Sequence, residues 1–328
     1  MKPGQFIAGI FGALVLAFIL PGPGAPGGWL HPHLTGPVAT FLIFLIQGLQ
    51  LKQGALAEVA RAWKLHLACQ AANFILAPAI FLILTLLSGP FLKDPSLRLG
   101  MLFLGMLPTT INSAITMVHL SGGRVASAIF NSSLSNLLGI LIVPVWVNAW
   151  MRAMESLSLD LRPVFLKLLG LIFLPVIVGR GLQPVLRRGG RLPSGDILKL
   201  GSMWLIFLIV YLSFCRSVTG RVWELVPGTV LGGVVIIVVT GLILVHWLVW
   251  LGGRGLGFER PELAVFLFCG AQKTIAAGVP LGTALLLQGD HGIDTGLFLI
   301  PLMIYHPLQM LIGGRWIGLL NNAGNGED

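Results

Sequence analysis

The chain has 328 residues, of which 55% are hydrophobic and only 10% charged, and its mean hydropathy is +0.90. Soluble proteins run near a quarter charged and cannot hide so much apolar surface, so a water-soluble enzyme or binding module is excluded. The net charge of +9 is scattered over short loops without a dense basic arm or stripe, which argues against nucleic acid as a partner and leaves membrane lipid as the solvent of this chain.

Apolar runs of about 20 residues, the length that crosses a bilayer as a helix, predict ten transmembrane helices. In chain order they cover 5–20, 35–51, 66–88, 97–120, 126–150, 163–182, 199–216, 225–251, 261–287 and 293–316. The first run follows Lys2 and resembles a signal peptide, but Pro21-Gly-Pro-Gly24 is a poor cleavage site, and the run is read as a span. With ten spans both termini share one side. That side carries Lys2, Lys52, Arg61, Lys64, Arg124, Arg180, Arg187, Arg188, Arg191, Lys199, Arg254, Arg260 and Arg315. They outnumber Lys93, Arg98, Arg152, Arg162, Arg216 and Arg221 on the opposite side, so both termini are expected in the cytoplasm, with the protein multi-pass in the cell (inner) membrane. Trp29, Trp63, Trp150, Trp223, Trp250 and Trp316 lie near span ends, as interfacial belts require. Cys69, Cys215 and Cys269 lie in or beside spans without CxxC spacing, which suggests neither zinc nor disulfides.

Two spans break the apolar pattern. Span four carries Leu107-Pro-Thr-Thr-Ile-Asn-Ser113 in its middle, and span nine carries Gly270-Ala-Gln-Lys-Thr-Ile-Ala-Ala-Gly-Val-Pro280. They stand five spans apart, so each is fourth in a five-span half, and an odd-numbered repeat inserts its second copy upside down. This predicts two inverted five-helix repeats with broken helices 4 and 9 at the midplane, a transporter layout. The first repeat would be 1–150, the linker 151–162, the second repeat 163–320 and the polar tail 321–328.

Lys273 is the most informative residue. It lies about 12 residues into its span, roughly 18 Å at helical rise, and an ionisable group at that depth is a functional candidate unless it snorkels to a headgroup. All 12 acidic residues sit in loops, span ends or the tail, so no buried carboxylate is expected to pair with it. One amine plus the positive ends of half-helices favours an anion at the midplane. The alternative has Lys273 neutral when the site is empty and acting as a proton-coupling group. Neutral donors gather in the neighbouring sequence: Thr109, Thr110, Asn112, Ser113 and Thr116 in span four, and Asn131, Ser132, Ser135 and Asn136 in span five. Small hydroxyl residues also let helices pack closely, but the cluster beside a broken helix points to binding. Asn73, five residues before Pro78, is open to either reading, as is His306, with Gln309 nearly one turn on beside Pro307. Motifs for metalloprotease, serine hydrolase or nucleotide chemistry are missing, so no enzyme activity is expected.

Four ordered segments carry a family likeness: Pro108-Thr-Thr-Ile111; Ala128-Ile-Phe-Asn-Ser132 with Leu138-Gly-Ile140 and Pro144; Phe268-Cys-Gly-Ala-Gln-Lys-Thr274 with Gly278-Val-Pro280; and Pro301-Leu-Met-Ile-Tyr-His-Pro307. On them the chain resembles the bile acid:sodium symporter family, and within it the sodium/bile acid cotransporter 7-like branch. The resemblance implies core and panel domains, spans four and nine crossing at unwound centres, and alternating access. It implies Na⁺ ligands at Ser113 and at Ser132 or its rival Asn131, with Gln272 in span nine, and puts Asn73 where the family has a glutamine. The family's acidic residue in span nine is absent and Lys273 lies in that stretch, which sets sodium coupling in question. No cofactor is expected beyond Na⁺ as a candidate coupling ion.

The combined expectation is a secondary transporter for a small organic anion, with Na⁺ or H⁺ as candidate coupling ions and a site drawn from Asn73, Thr109, Thr110, Asn112, Ser113, Asn131, Ser132, Ser135, Gln272, Lys273, Thr274, His306 and Gln309. The alternative, drawn from the branch's association with calcium homeostasis, is a membrane regulator that transports nothing. The residues leave substrate, stoichiometry and oligomeric state open.

Overall fold

The computed structural model describes residues 3–50, 62–153, 170–171, 174–190, 192–221, 224, 226–286 and 292–322, with the side chains of 3–7, 112 and 151–153 left out. Its described residues are helical with short connections and contain no strand. The helices are α1 Pro3–Ile19, α2 Pro32–Gln50, α3 Trp63–Ala71, α4 Ala77–Leu87, α5 Pro95–Met106, α6 Asn112–Leu120, α7 Val125–Ala153, α8 Leu174–Arg188, α9 Gly195–Thr219, α10 Gly228–Gly255, α11 Arg260–Ala271, α12 Ile275–Leu286 and α13 Thr295–Asn322.

Among the described residues, seven stretches are long and apolar enough to cross a membrane: Pro32–Gln50, Trp63–Leu87, Val125–Trp150, Gly195–Thr219, Gly228–Gly255, Arg260–Leu286 and Thr295–Asn322. The first expected span contributes only the shorter apolar helix Ala8–Ile19. The fourth is divided into α5 and α6, of 12 and 9 residues, each too short to cross alone. For the sixth, the 15-residue α8 is described, and most of 163–173 falls outside the described residues, as do the linker beyond 153, the tail beyond 322 and Trp223. The last helix runs to Asn322, past the expected end at 316. Trp250 and Trp316 pack ring to ring at 5.9 Å, with the Arg254 guanidinium 5.0 Å over Trp250.

Proline chemistry explains two departures from plain helix. Pro78 has no N–H, and the chain accommodates it with a π turn over Ala72–Leu76 between α3 and α4, in which the Ala77 N–H bonds Ala72 O. Pro108 pushes the residue before it out of the helical region, and Leu107 is extended at φ −66° and ψ 145°, which stops α5. The start of α5 is equally explicit, because Asp94 accepts from the Ser96 and Leu97 N–H groups at 2.9 and 3.0 Å, with Pro95 in the first turn.

The chain divides into two compact units, one from 1–52, 144–227 and 279–299, the other from 53–143, 228–278 and 300–328. In the first unit α1 packs on α9, and α2 packs on α8 and α9. The α2–α8 crossing is close enough that a Cβ added to Gly48 would overlap the Val176 carbonyl, and one added to Gly179 would overlap the Leu45 carbonyl. Small residues at such crossings let helices approach in lipid, where no hydrophobic force drives them together. Gln183 Nε2 donates to Leu49 O at 2.8 Å across the same pair, and Tyr211 ties α9 to the end of α1 through Leu20 O at 2.7 Å. In the second unit α4 packs on α5, α10 on α4 and α11, and α11 on α3 and α6.

The glycine crossing yields a stability test. Gly179→Leu must push α2 and α8 apart and should cost about 1–3 kcal/mol, lowering the melting temperature of the purified protein by several degrees. Gly181→Leu, whose added Cβ meets nothing within 4 Å, should leave it within a degree or so of the parent. Equal melting temperatures for the two variants would contradict the crossing.

Candidate functional site

The second unit contains both breaks. The first runs from Leu107 to Ile111 between α5 and α6, and the second from Gln272 to Thr274 between α11 and α12. Non-helical backbone at membrane depth survives only where protein groups satisfy it, so the partners of these segments define the site.

The breaks bond directly to each other, through the Thr274 N–H donating to Pro108 O at 3.0 Å. The first break is held further by α7, where Ser135 Oγ accepts from the Thr109 N–H at 3.3 Å and Asn136 Nδ2 donates to Thr109 O at 2.9 Å. Thr109 Oγ1 in turn donates to Phe268 O at 3.4 Å. The second break has no proline to cause it. Gln272 is extended at φ −76° and ψ 148°, and α13 supplies the bonds its helix has given up. Gln309 Oε1 accepts from the Lys273 N–H at 2.7 Å, and Gln309 Nε2 donates to Lys273 O at 2.8 Å. One turn earlier, the Tyr305 hydroxyl donates to Ala271 O at 2.8 Å.

Lys273 is fully buried. Its amine does not reach a headgroup; it donates to Leu107 O at 2.8 Å and Asn73 O at 3.1 Å. The described ion pairs join Arg124 to Glu259 and Glu262, and Arg221 to Glu224, all at helix ends or loops. Asn73 Nδ2 donates to Cys69 O and Cys269 O at 3.0 and 2.7 Å, while its Oδ1 is buried without a partner.

A second cluster lies at the start of α6. Thr110 Oγ1 donates to Gln272 Oε1 at 2.8 Å and accepts from Ser113 Oγ at 2.6 Å, and Ser113 also reaches Gln272 Oε1 at 3.3 Å. Gln272 Nε2 stands 2.7 Å from Met117 Sδ. Asn112, expected beside these groups, has only its backbone among the described residues.

Of the expected Na⁺ set, Ser113 and Gln272 hydrogen-bond to each other. Asn131 Nδ2 contacts His66 Nδ1 of span three at 2.9 Å and donates to Ser127 O on its own helix at 3.0 Å. Gln70 Nε2 approaches both Asn131 O and Oδ1 at 3.4 Å. Ser132 Oγ is 3.8 Å from Cys269 Sγ. Among the described residues no three His, Cys, Asp or Glu side chains gather to hold a metal, and no Asp or Glu is buried.

Several contributors were not among the expected site residues. Tyr305 stands four residues before Gln309 on one face of α13, a spacing that could have paired them. Gln70 and His66 lie 61 and 65 residues from their partner Asn131, and no local pattern announces them. His306 packs against the clamp, its Nδ1 2.8 Å from Gln309 Nε2. Orientation is settled by chemistry here. The Lys273 N–H can only donate and its carbonyl only accept, so the Gln309 amide cannot be flipped, and His306 Nδ1 must accept.

The chain is similar to known proteins over nearly its whole length. The model of the SBF-like CPA transporter family matches residues 4–319. The sodium/bile acid cotransporter 7 of Danio rerio is 30% identical over 314 residues, 94% of this chain and 90% of the relative. The protein of that name from Mus musculus is 28% identical, with 94% and 89% covered. The putative symporter YfeH of Escherichia coli is 30% identical over 287 residues, 84% and 80% of the two chains. Both breaks and every site residue above fall within the matched segment, and the chain, a multi-pass membrane protein, belongs to the SBF-like CPA transporter family.

Proposed function

We propose that the protein is a secondary active transporter that moves a small organic anion across the membrane by alternating access. The observation that carries this reading is the junction itself: two interrupted helices bonded through Thr274 N and Pro108 O, with a buried amine and a Thr110, Ser113 and Gln272 cluster around it. Such a junction offers donors and positive charge without a described carboxylate. It suits an anion. Sodium and bile acids appear in the names of the relatives, which makes an amphipathic steroid carboxylate or sulfonate the first substrate to try. Na⁺ at Ser113 and Gln272, or H⁺, is the candidate coupling ion.

The architecture we propose is ten transmembrane helices in two inverted five-helix repeats, 1–150 and 163–320. Packing within each unit supports it. Exchanging the halves maps α1 against α9 onto α8 against α2 in one unit, and α4 against α5 onto α10 against α11 in the other, and all four pairings occur. Each unit also takes corresponding segments from both halves, as core and panel domains would. Both termini then lie in the cytoplasm of the cell (inner) membrane.

Two experiments follow. In proteoliposomes, uptake of labelled taurocholate or a smaller organic anion should be saturable, and Lys273→Ala should reduce it by about tenfold or more, since one broken pair of buried hydrogen bonds costs about 1–3 kcal/mol. Undiminished uptake in that variant would remove Lys273 from the mechanism, and a protein that moves no anion while its deletion alters calcium influx would favour the regulator. For topology, alkaline phosphatase fused after Gly89 should be active and after Gly190 inactive, with a fluorescent C-terminal fusion. Active phosphatase after Gly190 would contradict the inverted arrangement.

A further inference from the structure

The two acceptors of the Lys273 amine are both carbonyls that helices have released. In an α-helix Asn73 O would bond the Ala77 N–H, but that donor goes to Ala72 O across the π turn, and the next residue, Pro78, has no N–H to offer. Leu107 is the extended residue that closes α5, so its carbonyl leaves the helical ladder. The amine sits at 3.1 and 2.8 Å from these oxygens. A third oxygen, Asn73 Oδ1, is buried on the same residue with no partner, and Asn73 itself is completely buried. Two released carbonyls that converge on one point, with no described anion beside them, are a good environment for a small cation, as unwound helices in transporters provide.

We infer that Asn73 O and Leu107 O form a monovalent-cation site that the chain fills with its own lysine amine. The lysine is a tethered cation, and an alkali cation or small alkylammonium takes its place only when the side chain is removed. Its consequence, that native transport needs no alkali cation at this position, rests on the transporter reading; the site itself does not. The arrangement also accounts for a lysine that neither snorkels nor pairs with an acid: it closes two released carbonyls with a charge that cannot diffuse away.

The test uses the full-length purified protein and no substrate. Lys273→Ala removes the Cγ, Cδ and Cε methylenes with the amine, the equivalent of n-propylammonium. Its melting temperature is measured in choline chloride, sodium chloride and n-propylammonium chloride at equal ionic strength, and in choline chloride with 1-propanol. We expect Lys273→Ala to melt below the parent in choline, to recover saturably in n-propylammonium by about 3 °C or more, and to gain nothing from 1-propanol. The parent and Lys273→Met, whose side chain fills the volume without charge, should not respond. Equal melting of Lys273→Ala in all salts, equal rescue by 1-propanol, or an equal response of the parent or Lys273→Met would overturn the site. Should Lys273→Ala not survive extraction, heat-induced aggregation of a fluorescent fusion is read in whole membranes with the same additives and the same outcomes. Absence of anion uptake would defeat the transporter reading while leaving this result standing, and the reverse holds equally.

Discussion

The arrangement depends on one constraint: backbone groups taken out of a helix inside a bilayer need protein partners. Each buried N–H or C=O left unmade costs about 1–3 kcal/mol, and in lipid no water stands by to replace the bond. The chain meets the constraint at the second break with a single side chain. Gln309 accepts from the Lys273 N–H and donates to its carbonyl, so one amide supplies both bonds that a continuous helix would have made. Tyr305 does the same for Ala271 O, and the first break answers through Pro108 O. With the peptide of Lys273 fixed at both ends, its side chain is directed at Leu107 O and Asn73 O.

The chemistry follows from what the clamp leaves over. Gln309 is largely engaged, because its amide hydrogens go to Lys273 O and His306 and its oxygen accepts from the Lys273 N–H. Gln309 braces the backbone at Lys273, with His306 against it, and Thr110, Ser113 and Gln272 form a separate polar cluster at the same junction. These are neutral, and any cation they take is held by hydroxyl and amide oxygens alone. Membership of a transporter family gives such a junction its natural use.

How much of this the residues announced depends on the range of the interaction. The first break was legible because Pro108 acts on its immediate neighbour Leu107. The depth of Lys273 was legible from its count along an apolar run, and the structure places it fully buried. The π turn was not, although Pro78 is its cause, because a proline in a span can equally be absorbed by a kink. The partners of Asn131 were not either: His66 and Gln70 come from another helix, and a polar residue's partner is set by packing that no local pattern encodes. That Gln309 braces the Lys273 backbone was not legible, since an amide that braces a backbone and one that binds a solute look alike in sequence. The expected ten spans met a different limit. A span interrupted in its middle, such as α5 and α6, falls short of crossing length in each piece.

The most direct measurement is hydrogen–deuterium exchange at 268–280 in nanodiscs, comparing the parent with Gln309→Ala. If Gln309 braces an open segment, the amide of Lys273 is protected in the parent and exchanges about tenfold faster or more in the variant, as loss of about 1–3 kcal/mol requires. If the segment were a continuous helix bonding within itself, removing the Gln309 side chain would leave exchange of that amide unchanged, and the clamp would be refuted.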